Sequence, residues 1–254
     1  MKISRRVWLA YIDGLRKINE TAAREAAAFL QTHQPFTDAN TQAILDYCFG
    51  LSTKYGEAAS ELAAQMYDAI ALAEGVIVPS AIPAETATYA DVAQTVIGTM
   101  NRSTDIEVIS SAVGRLVKLA GVDTTMKNAL RDGAEWAWIP HGETCAYCIM
   151  LASRGWTRAS KQAIKNGHAE HIHANCDCTY AVRFDSSTEV EGYNDGAEYR
   201  EMYDDAEGRG LQKVNSMRRE FYAQNRERIN EQKRSAYAKR KERESSAAEE
   251  FDVG

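Results

Sequence analysis

Four of the five cysteines in this 254-residue chain sit in two short stretches, "CAYCIMLASRGW" (145–156) and "HIHANCDC" (171–178). Zinc takes four soft or borderline donors in a tetrahedron. Cys145-x-x-Cys148 has the knuckle spacing that turns two sulfurs onto one ion, and His173-x-x-Cys176-x-Cys178 supplies three more donors. If Cys176 and Cys178 are extended, their side chains share a face, because strand side chains alternate. Five donors compete for four positions. The reading takes Cys145, Cys148 and Cys178, with either His173 or Cys176 as the fourth. A zinc ion with four protein ligands has no open position for water, so the metal is expected to be structural. Its role would be to fold a loop-rich unit with little core of its own. The competing reading is a set of reduced, packed thiols.

Other chemistry is poorly matched. His168-Ala-Glu170 resembles the His-x-Glu of zinc deaminases, but there the C-x-x-C follows a proline downstream, and here it comes first. No Asp-His pair of the kind used by zinc-containing nucleases stands between the cysteines. No Walker loop, G-x-S-x-G or H-E-x-x-H is present. Cys48, between Tyr47 and Phe49 on a helix, reads as a small core residue. Trp136, Trp138 and Trp156 flank the cysteines and read as their hydrophobic shell.

The elements that must position these donors are mainly helical. Residues 3–31 carry a stripe of Trp8, Ile12, Leu15 and Ile18 and an Ala-rich second half. "THQPFTDAN" breaks that helix. Helices are expected at 38–52 and 55–74, the latter patterned by Tyr55, Ala59, Leu62, Met66, Ile70 and Ala73. A linker over 79–88 ends at Thr88, a candidate cap. Helices follow near 89–101, 104–120 and 123–138, with Gly121 as a stop and Asp123 as a cap. "TYAVRF" (179–184) alternates as a short strand. The expected organisation is a helical region over 1–78, the linker, and a second helical region over 89–140. A zinc-knuckle α+β unit (141–184), an acidic connector (185–211) that is loose or forms short helices, and a basic helical tail (212–254) with a frayed end complete it.

The net charge is −6, so the whole molecule is not a basic nucleic-acid binder. The N-terminus has no apolar run of the kind a secretion signal needs, and there is no stretch of eighteen apolar residues. The cysteines are therefore expected in a reducing compartment, where short pairs favour metal over disulfide. Between Lys213 and Arg243 eleven Lys/Arg face four Glu. "REFYAQNRER" from Arg219 and "RSAYAKRKER" from Arg234 repeat fifteen residues apart, which places Tyr222 and Tyr237 near one helical face. Arg218, Arg219, Arg226, Arg228, Lys233, Arg234, Lys239, Arg240 and Lys241 are the candidate contacts to DNA phosphates or to an acidic protein face.

"C-A-Y-C-I-M-L-A-S-R-G-W" followed by H-x-x-C-x-C and a short strand resembles the minor capsid, or head morphogenesis, proteins of tailed bacteriophages, which are similar to protein F of phage Mu. "LSTKYGEAASELAAQMYDAIA" (51–71) resembles the helical segment preceding the cysteines in actinobacteriophage-type members. The resemblance covers roughly 1–184. It carries over to Cys145, Cys148, Leu151, Ala152, Ser153, Arg154, Gly155, His173, Cys176 and Cys178; Ala174 stands where many relatives have proline. It implies a low-copy structural protein acting near the portal vertex during procapsid assembly. Portal, capsid or scaffold partners, possible contact with packaged DNA and residence in the virion head would follow. It implies no catalysis, membrane or small-molecule substrate. In the loop after the second cysteine, Gly155 would allow positive φ, and Arg154 would bond backbone carbonyls. The alternatives are a zinc-stabilised nucleic-acid-binding protein without a virion role and, further off, a zinc nuclease or deaminase.

Overall fold

A computed structural model of the chain describes residues 4–140, 144–160, 178–190, 193–194, 196–228, 230–231, 234–235 and 238. The chain divides into two compact units, Met1–Arg200 and Glu201–Gly254.

The first unit is built on helices α1 (Arg5–Gln31), α2 (Asp38–Glu74), α3 (Tyr89–Met100) and α4 (Ile106–Asp132). Helix α1 starts where the Ser4 hydroxyl accepts from Val7 N–H at 3.4 Å. Helix α2 starts where Asn40 Oδ1 accepts from Thr37 N–H at 2.9 Å, and α3 where Thr88 caps Asp91 N–H at 3.2 Å, as its sequence suggests. Helices α1, α2 and α4 pack on one another, and α3 lies against α2 and α4.

Two expected breaks are absent. Residues 38–74 form one helix rather than two, because buried Ile44, Cys48, Leu51, Ala59, Ala63, Tyr67 and Ile70 run continuously along it. That packing outweighs the weak local propensity around Ser52 and Thr53. Residues 106–132 are likewise one helix. Gly121 does not stop it: a Cβ there would come within 3.3 Å of the Ala59 carbonyl oxygen, so this glycine lets α2 and α4 approach. Asp123 is no cap but lies mid-helix, 4.0 Å from Lys127. The caps are Asp105, accepting from Glu107 N–H at 2.9 Å, and Gly133 at φ 68°. Residues expected to end the last helix instead form strand β1 (Glu135–Ile139).

The linker is pinned along its length. Asn128 Oδ1 accepts from Ile82 N–H, and its Nδ2 donates to the Ile82 carbonyl, both at 2.9 Å. Thr124 accepts from Ala84 N–H at 2.9 Å and Asp68 from Ala81 N–H at 2.7 Å. Arg131 donates to the carbonyls of Pro79 and Ser80. The extended backbone thus has the partners that an adjoining strand would otherwise supply.

Arg131 also pairs with Asp132 at 2.7 Å, and Asp132 accepts from the Tyr67 hydroxyl at 2.9 Å. These contacts, Arg131 first, hold the Asp132 carboxyl below the usual carboxylate range. A lowered folded pKa means that the unfolded chain takes up a proton first as pH falls. The stabilisation is complete above the unfolded value of about 3.9 and is lost as pH drops through the folded one. Urea unfolding between neutral pH and pH ~3 should therefore show an acid limb that flattens in Asp132→Asn; an unchanged limb would place the acid sensitivity elsewhere.

Strands β1, β2 (Thr157–Arg158) and β3 (Thr179–Arg183) form an antiparallel sheet with β1 central. In the β1–β3 register Trp138 faces Tyr180 and Trp136 faces Val182. Both α2 and α4 contact β3, and Glu74 at the end of α2 accepts from Phe184 and Asp185 N–H at 2.9 and 3.0 Å. The architecture is mainly helical with one small sheet. In the acidic stretch, expected as a loose connector or short helices, the short helix α6 (Ala197–Asp205) forms, while Thr188, Val190 and Tyr193 before it are buried. Helix α7 (Leu211–Gln224) follows in the second unit, within the expected basic tail.

Candidate metal centre

Helix α5 (Ala146–Ala152) carries the C-x-x-C pair. Cys145 is its N-cap, and its Sγ accepts from Cys148 N–H at 3.4 Å, so the cap and the cysteine spacing are one local feature. The two sulfurs lie 3.5 Å apart. Zn–S bonds of ~2.3 Å in a tetrahedron put ligand sulfurs roughly 3.8 Å apart, so the pair can bind one ion with a small adjustment. Cys148 and Cys178 are buried, and Cys145 is partly exposed. All three belong to one apolar cluster with Trp136, Trp138, Tyr180 and Tyr193.

Two tyrosines register the cysteines electrostatically. Burial pushes the Tyr147 phenol up, Arg154 lowers it, and Cys148 and Cys145 add smaller upward effects. Burial, then Glu198, push the Tyr199 phenol up, with Cys178 adding a smaller upward effect. Tyr199 packs against the apolar cluster that contains Cys148 and Cys178.

His173 and Cys176 lie outside the described residues. Among the described residues no three His, Cys, Asp or Glu form a group that could hold a metal ion. The structure brings Cys145 and Cys148 together and puts Cys178 in the same core. Cys48 is fully buried in a separate cluster, and burial pushes its thiol up to about 12, as expected for a core residue.

The tryptophans form the shell expected of them. The Tyr180 ring meets the edges of Trp136 and Trp138 at centroid distances of 5.1 and 4.6 Å. Trp156 lies against Tyr193 at 6.0 Å and under the Arg183 guanidinium at 4.5 Å. Arg183 Nε donates to Glu135 at 2.7 Å across the β1–β3 pair, and its Nη1 donates to the Thr188 carbonyl at 3.2 Å. Gly155 has φ 64°, the conformation expected of it. Arg154 is exposed.

Sequence reasoning missed the closure of this region from the acidic stretch. The Tyr193 hydroxyl donates to the Ala152 carbonyl at 3.1 Å, and Arg200 Nε donates to the Ser153 carbonyl at 3.2 Å, holding the end of α5. The one local signal was three tyrosines in an otherwise acidic run, Tyr193, Tyr199 and Tyr203.

Of the candidate tail residues, Arg218, Arg219, Arg226, Arg228 and Arg234 are exposed. Lys233, Lys239, Arg240 and Lys241 lie outside the described residues, as does Tyr237. Among the described residues no helix is long and apolar enough to cross a membrane.

A family model described as VG15 protein matches residues 2–206, which spans every described element up to α6. No curated protein and no solved structure matches the chain.

Proposed function

Because the chain belongs to the VG15 protein family, a phage-type family, we propose that it is a structural minor head protein acting in procapsid assembly near the portal. The observation that carries the reading is the convergence of Cys145 and Cys148 at 3.5 Å at the start of α5, within the most specific stretch of the resemblance to phage head morphogenesis proteins. The family match over residues 2–206 supports it by covering both the helical platform and this stretch.

In this reading Cys145, Cys148 and Cys178 hold a structural zinc, with His173 or Cys176 as fourth ligand. The ion supplies fixed coordination that ties the start of α5 to the approach to β3. Full protein ligation leaves no site for a reactive water, so the role is structural rather than catalytic. The helical platform offers packing surfaces to portal, capsid or scaffold proteins. The basic tail adds a surface for a negatively charged partner.

Metal content tests the zinc half. The purified chain should contain one zinc, and Cys148→Ser should lose it together with thermal stability. A metal-free chain, or a variant equally stable and metal-loaded, would reduce the cysteines to packed thiols. Quantitative mass spectrometry of purified phage heads tests the assembly half. The chain should be present at low copy relative to the major capsid protein; its absence from both proheads and mature heads would exclude a head role.

A further inference from the structure

The second unit carries opposite charges in separate segments. From Glu201 to Gly210 four carboxylates face one arginine, whereas the tail from Lys213 to Arg243 carries eleven cations and four carboxylates. Glu201, Asp204, Asp205 and Glu207 are exposed on one side of the turn at Gly208 and Gly210, and Arg218, Arg219 and Arg226 are exposed on the other. Among the described residues none of these seven makes an ion pair.

The local geometry gives the reason. Lys213, the cation nearest the turn, points its Nζ at the carbonyls of Tyr203 and Asp204, at 2.8 and 2.6 Å. It caps the C-terminal end of α6, where carbonyls lack helical partners. That bond fixes the end of α6 against the first turn of α7. Arg218 then lies about 8 Å farther along the α7 axis, and Arg226 follows just past the helix end at Gln224. The unit is therefore polar from end to end, with carboxylates around the turn and guanidinium groups beyond it.

We infer that this polar unit is a self-association surface: the acidic turn of one copy pairs with the basic α7 segment of a second copy. An antiparallel, two-fold arrangement makes both contacts twice and is the smallest closed form. A second copy fits better than nucleic acid because it uses both charged ends, whereas DNA would take up the basic segment and leave the acidic turn repelling it. The inference rests on the functional reading only in treating the tail as a binding surface.

Sedimentation equilibrium of the intact chain tests it. The mass should be about twice 28.2 kDa at low ionic strength (about 0.01 M) and fall to 28.2 kDa at about 1 M. Arg218→Glu/Arg219→Glu/Arg226→Glu should be monomeric throughout, and so should Glu201→Lys/Asp204→Lys/Asp205→Lys. The chain carrying all six changes should dimerise again, since the charges are exchanged rather than removed. All six positions are exposed; circular dichroism of each variant is the check that it folds. A wild-type monomer at low salt would overturn the inference, as would a dimer indifferent to the tail reversal. A monomer that binds duplex DNA, and loses it only in the tail reversal, would assign the segment to nucleic acid instead. Finding the chain absent from phage heads would leave this measurement unaffected.

Discussion

Trp138→Ala should destabilise the chain by about 3–5 kcal/mol, the range for truncating a buried aromatic to alanine. Trp138 is 2% exposed and is among the largest fully buried side chains. It stands on the central strand, directly opposite Tyr180 and edge-on to its ring at 4.6 Å. It shares a cluster with Cys148, Ala152 and Cys178. Deleting the indole removes its contacts and leaves a cavity among backbones that the sheet and α4 hold in place, so collapse is limited. Stability of domains is about 5–15 kcal/mol in all, so this is a large share. Urea unfolding with an unchanged m-value would measure it, and Ile77→Ala, at a fully exposed side chain, should stay within about 0.5 kcal/mol of wild type. A loss below about 1 kcal/mol for Trp138→Ala would mean that the site collapses freely, and that the sheet is not the rigid support of the cysteine region described above.

Gly196→Ala should cost about 2–5 kcal/mol, combining left-handed strain with overpacking. Gly196 has φ 72°, which L side chains adopt at a penalty. A Cβ there would overlap the Ala152 carbonyl oxygen and approach the Tyr193 hydroxyl to 3.0 Å and the Gly155 nitrogen to 3.2 Å. These neighbours cannot easily retreat. The Ala152 carbonyl already accepts from Tyr193 and from Gly155 N–H, and it ends the helix that carries Cys148. Zinc affinity should therefore fall along with stability, because the disturbed turn is one turn of helix from a proposed ligand. Gly50→Ala gives the opposite sign. It lies in the interior of α2 with nothing within 4 Å of the new Cβ, and should stabilise by about 0.5–1 kcal/mol. Equal effects at the two positions would show that the close approach of α6 to α5 is not a constraint on the fold.

Local chemistry determined much of this protein without any structure. The C-x-x-C spacing brought its two sulfurs within 3.5 Å because a four-residue turn is short-range, although the helix that Cys145 caps was not expected. Thr88 capped its helix and "TYAVR" formed a strand for the same reason. The mainly helical class followed from apolar periodicity, which depends only on neighbours three and four residues away. What the sequence could not decide were positions where distant packing outweighs local preference. Gly121 is locally a plausible helix stop, and only the approach of Ala59, 62 positions earlier, makes it a contact glycine inside a continuous α4. Residues 135–139 follow a helix but pair as a strand because β3, 40 to 48 residues later in register, supplies the hydrogen-bond edge. The linker is fixed by Asn128, Thr124 and Arg131 from α4. Tyr193 and Gly196 came to the cysteine region out of a stretch whose composition is that of a solvated connector. In each case the decisive partner lies far along the chain. Spacing reads reliably only over the few residues of a cap, a turn or a helical repeat, and beyond that range the tertiary structure makes the choice.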